Sequence, residues 1–184
     1  MKYRKFCLTI VLILGLFNSA KLQSIDSLDT KYGFKHFKLN TSIVKYEKEI
    51  ILDVNDANTE EKKTYKYIGG KINDLFGVKI HEILLNFYKN KLSSIYIKFG
   101  KLNESFTESD YKLLLYKLTI LYGNSIKLQT GIDGNFNILN ANKWKGAKVE
   151  LEMIRHYYIP NQLYGGYIII SELSLKRQKL SDGF

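Results

Sequence analysis

The sequence predicts an α+β fold, in which an antiparallel sheet carries a packed helix at about residues 108–122. Three observations lead there. One segment has both helix end signals. Several apolar segments meet at hairpin-length turns. Strands and helices do not alternate in the β-α-β pattern of a parallel nucleotide-binding sheet. The expected order is helix, strands, helix, strands, read as two related α+β halves sharing one sheet.

Along the chain, Asn40, Thr41 and Ser42 offer caps for a first helix at about 41–51, with Ile43, Tyr46 and Ile50 on one face. Residues 64–68 alternate and are rich in tyrosine, 75–80 follow as a strand, and 83–88 and 92–99 flank Lys89-Asn90-Lys91 at hairpin spacing. Ile83, Leu85 and Phe87 would then face one way, as would Ile95, Ile97 and Phe99. The helix at 108–122 opens on a capping box of Thr107 and Asp110, each side chain satisfying a free N–H at the helix start. Glu108 adds negative charge where the helix dipole favours it. Tyr111, Leu114, Leu115, Leu118, Leu121 and Tyr122 form one apolar stripe, and Gly123 stands at the C-cap. Residues 129–142, with two glycines and many asparagines, read as a surface loop holding at most one short strand. Residues 148–158 and 164–175 read as long strands either side of Pro160-Asn161-Gln162, with Gly165-Gly166 marking a bulge or bend. Leu114, Leu118, Ile95, Ile97, Val149 and Leu151 are the expected core.

The domain plan is a signal peptide at 1–20, a polar lead-in at 21–32, one α+β domain at 33–177 and a C-terminal tail at 178–184. Lys2, Arg4 and Lys5 precede an apolar run from Phe6 to Phe17, and Asn18-Ser19-Ala20 closes it. That layout is a secretory signal, too short at about 12 residues to span a bilayer that needs roughly 20. The expected location is therefore periplasmic or extracellular, with no membrane span in the mature chain. Cys7, the single cysteine, lies inside the signal, so the mature chain would have no thiol. Its removal takes three of the 28 basic residues and none of the 18 acidic ones, lowering the net charge from +10 to +7. Arg155 and Arg177 are the only arginines after residue 20. Because arginine is the preferred bidentate phosphate reader, no nucleic-acid partner is expected.

The stretch from Gly33-Phe34 to Leu39-Asn40-Thr41-Ser42-Ile43, the hairpin from Ile83 to Leu92 and the ending Leu121-Tyr122-Gly123 carry a resemblance. Together they resemble a diffuse group of small exported bacterial proteins of unknown function. In outline the chain is similar to the helix-plus-strands modules of β-lactamase-inhibitor-like proteins. The resemblance implies a fold and transfers no catalytic or binding residue.

The chemistry-bearing residues do not group into a site. His36, His81 and His156 fall in three elements without a second ligand at metal spacing, and are read as lying on exposed faces or strand edges. No metal, cofactor or catalytic residue is expected. Gly69-Gly70-Lys71 lacks the spacing and the Ser or Thr of a phosphate loop and reads as the exit from a strand. Glu150 and Glu152 alternate with Val149, Leu151 and Met153, which assigns them to the wet face of a strand rather than to an acid–base pair. Tyrosine is the unusual residue: fourteen, against ten phenylalanines and one tryptophan. Such rings supply rigid contact area with a hydroxyl handle, and they also fill half-buried sheet positions. Tyr157, Tyr158, Tyr164 and Tyr167 gather with Arg155 around one turn, and these five are the candidate binding residues. The expected function is a non-catalytic binding module of the cell envelope, taking another envelope protein or an anionic surface polymer. The alternative is a secreted or periplasmic hydrolase whose residues converge only in space.

Overall fold

The computed structural model describes residues 27–101 and 104–183; the segment read as a signal peptide lies outside them. A short helix, α1, covers residues 27–31, and the small hairpin β1 (Gly33–Phe34) and β2 (Phe37–Lys38) follows. Next come β3 (Ile50–Leu52), β4 (Lys62–Tyr67), the tight hairpin β5 (Asp74–Leu75) and β6 (Val78–Lys79), then β7 (Glu82–Tyr88) and β8 (Lys91–Phe99). The helix α2 (Glu108–Tyr122) leads into β9 (Ile126–Lys127), β10 (Gly131–Asp133), β11 (Phe136–Lys145), β12 (Val149–Tyr158) and β13 (Leu163–Glu172), and α3 (Leu173–Ser181) ends the fold.

Among the described residues nine strands form one antiparallel sheet, in the order β10-β11-β12-β13-β8-β7-β4-β3 with β9 beside β11. Each half is thus a meander running from an edge toward the centre, and the two last strands, β8 and β13, pair there. Register fixes which side chains share a face. Phe87 meets Leu92, while Ile83 and Leu85 meet Ile97 and Ile95, which meet Ile168 and Ile170, which meet Leu151 and Met153. All are nearly fully buried, in a core closed by Tyr111, Leu114 and Leu118 of α2. The α2 boundaries and its reciprocal Thr107–Asp110 cap match the sequence reading. So do the six expected core residues. The fold is α+β on an antiparallel sheet.

Four element readings are corrected. The expected helix at 41–51 is a single 3-10 turn at Ile43–Lys45 followed by β3. Its backbone is bonded elsewhere: Asn40 N–H donates to the Leu92 carbonyl, Leu92 N–H to Thr41, and Ile43 N–H to Asn90. The loop at 129–142 holds β10 and most of the ten-residue β11. The segment 164–175 stays extended only to Glu172, whose carboxylate accepts from Leu175 N–H at 2.6 Å and caps α3. That helix runs into the stretch read as the tail, and Lys89 Nζ reaches Asp182 at 2.9 Å. Finally, 75–80 is the β5–β6 hairpin rather than one strand.

Gly165 and Gly166 mark no bulge, since pairing runs without a register shift through both. They are required for space. A Cβ on Gly165 would lie 2.8 Å from the His156 ring, and one on Gly166 2.3 Å from the Phe106 ring.

Candidate functional site

Because side chains alternate along a strand, the five sequence-predicted binding residues divide between the two faces of the sheet. Arg155, Tyr157 and Tyr164 lie on the α2 side, beyond the end of the core. Tyr157 and Tyr164 are register partners with ring centroids 5.0 Å apart, and the Arg155 guanidinium lies 5.2 Å over the Tyr164 ring. Arg155 Nε donates to the Phe106 carbonyl at 3.4 Å, which holds it on that side.

Tyr158 and Tyr167 project from the opposite face, and there they join rings that sequence spacing does not reveal. Tyr96 of β8 lies 6.2 Å from Tyr167 of β13, which lies 5.8 Å from His156 of β12. His156 meets Phe136 of β11 edge-on at 4.8 Å, and Phe136 lies 5.0 Å from Tyr158. The result is a continuous strip of five rings crossing four adjacent strands. Gly165, opposite His156 in the register, leaves the space that the imidazole occupies. Phe136 is exposed and the other four are half-buried.

His156 is therefore not on a free edge, as the sequence reading had it; His36 and His81 are the exposed histidines. Burial lowers the His156 pKa below the ordinary histidine value, so the ring is neutral near pH 7. Its Nδ1 is buried without a hydrogen-bond partner among the described residues.

The same face carries a charge network. Glu150, expected on the wet face, is 6% exposed and sits between Lys143 at 3.2 Å and Lys176 of α3 at 2.6 Å. α3 supplies the lysine that makes this burial tolerable. Burial pushes the Glu150 carboxyl up, but the two lysines outweigh it and hold its pKa below the usual carboxylate value. Lys143 also reaches Glu152 at 2.7 Å. Farther along, Glu82 is held down in the same way by Lys66 at 2.8 Å and Lys98 at 3.0 Å.

Next to the Tyr96 end of the strip is a polar hollow of about 450 Å³, lined by Asp56, Lys62, Asn86, Lys98 and Lys179 among others. Burial, reinforced by repulsion from Lys62, lowers the Lys179 pKa. A hydrogen bond from the Thr64 hydroxyl holds Asp56 ionised and lowers its pKa.

This arrangement can stack flat or apolar groups on the rings and pair charged groups in the hollow. Among the described residues, no group of three or more His, Cys, Asp or Glu could hold a metal ion, and no helix is long and apolar enough to cross a membrane. No family model matches this chain, and none of the proteins or solved structures compared with it matches either.

Proposed function

We propose that this chain is an exported, non-catalytic binding module of the cell envelope, and that it engages a surface polymer along the sheet face opposite α2. The five-ring strip from Tyr96 to Tyr158 carries this reading. Rings set in a row fit a repeating ligand such as a polysaccharide, because each sugar ring offers an apolar face to an aromatic side chain while its hydroxyls stay wet. Lys62 and Lys179, beside the Tyr96 end, favour a polymer with anionic substituents. The export signal at 1–20 supports the location, and N-terminal sequencing of exported material tests it.

Two double variants test the site. Tyr158→Ala with Tyr167→Ala cuts the strip, whereas Tyr157→Ala with Tyr164→Ala alters only the α2 side. Retention on isolated cell-wall polysaccharide should be lost in the first pair, kept in the second, and weakened by salt in the wild type. Equal retention by both folded pairs would rule this face out. Retention lost only in the second pair would transfer the site to Arg155, Tyr157 and Tyr164.

A further inference from the structure

The α2 side of the sheet holds a second opening, separate from the aromatic strip. Between α2, β1 and the β5–β6 hairpin lies a cleft of about 340 Å³. Ile97, Leu151 and Ile168 are part of its lining, each no more than 2% exposed, and Leu121 of α2 adds to its wall. This volume falls within the usual range of small-molecule sites, and an apolar lining with few polar groups is their usual character. The charged side chains along it are Lys31 and Lys35, both exposed. Lys31 Nζ lies 5.2 Å over the Tyr122 ring, which also lines the cleft, and no described carboxylate pairs with either lysine. Lys38 adds a third cation, its Nζ donating to the Lys31 carbonyl at 2.8 Å.

Phe76 marks the rim. It lines the cleft, is 38% exposed and has φ 54, in the left-handed region that bulky side chains rarely adopt. With Gly77 at φ 86 it forms the two-residue turn of the β5–β6 hairpin, whose favoured geometry takes positive φ at both positions, and this turn sets the ring at the rim.

We propose that the cleft binds an anionic amphiphile with a single apolar tail, of the fatty-acid class. The tail lies against Phe76, Leu121 and Tyr122, which keep apolar surface exposed along the cleft, and burial of that surface drives binding. The headgroup meets Lys31 and Lys35, whose charge has no carboxylate partner among the described residues. A free carboxylate and the phosphate of a monoacyl phospholipid share this chemistry.

Displacement of a fluorescent apolar probe tests the site, with dodecanoate, a monoacyl phosphatidylglycerol of the same chain length and 1-dodecanol as competitors. Displacement by dodecanoate alone or by the phospholipid as well supports the proposal and tells the two sources apart. The alcohol should compete roughly tenfold less well than the better anion, as two exposed charge contacts allow. Lys31→Gln with Lys35→Gln, both on the surface, should erase that preference while leaving tail binding in place. Leu121→Trp should fill the cleft and abolish displacement by every competitor. Equal competition by acid and alcohol in the wild type, saturable binding untouched by Leu121→Trp, or no saturable probe binding would each overturn the proposal.

Discussion

His156 shows how one position can set a pH response. Its ring sits between Phe136 and Tyr167, where burial favours the neutral form and lowers its pKa. The unfolded chain therefore takes up a proton at a higher pH than the folded one. Stability is complete above the ordinary histidine pKa near 6.5, and falls as the pH drops from there toward the lower folded value. Glu82 and Glu150 have pKa values lowered by their lysines, so their contribution is lost only at more acidic pH, below the usual carboxylate value of about 4.3. Thermal melts should accordingly show Tm falling between pH 7 and pH 5, and His156→Phe should flatten that interval while leaving the steeper loss below it. An unchanged slope in the variant would assign the loss to another group. At this scale the sequence conveyed residue types but not surroundings. Glu150 reads as solvated from its alternation with Val149 and Leu151, and only the position of α3 reveals that the outer face is covered there.

The elements differ in how far their own residues determine them. α2 carries its stripe, its capping box and its terminal glycine within the segment, so its boundaries were legible from sequence. Leu114→Ala, at a fully buried position, should cost about 3 kcal/mol. Thr107→Ala, which removes one cap, should cost about 1 kcal/mol. Chemical denaturation resolves the two, and equal losses would mean that the stripe is not what anchors α2. The segment 41–51 has the same apolar spacing but no helix, because distant carbonyls of the β7–β8 hairpin bind its backbone. β11 escapes a propensity reading because asparagine is a poor strand former. Two of its three asparagines are instead held by tertiary contacts, Asn142 by Tyr111 and Ser125, and Asn140 by Arg155. The candidate site follows the same rule. Its tyrosines were visible as a cluster, but their division between faces and their union with Tyr96, His156 and Phe136 depend on strand register across the whole sheet.

For the whole molecule, the pairing of β8 with β13 has the widest consequence. Ile97 lies opposite Ile168 and Ile95 opposite Ile170, so the centre of the sheet joins residues far apart in sequence. Contacts of that kind form late in folding, because a long loop must close before they repay its entropy. During synthesis the first meander emerges with β8 as an unpaired edge carrying Ile95, Ile97 and Phe99, until β13 arrives to cover it. An uncovered edge of this composition recruits strands from other chains. A chain ending at Gly123 should therefore be found in the insoluble fraction, and supplying residues 124–184 in trans should recover soluble material; a soluble, monomeric fragment alone would contradict this. The last strand to be made is thus the one that protects the first half. A ribosome that stalls after residue 99 and before residue 172 would leave a nascent chain with an aggregation-prone edge and no strand of its own to cover it.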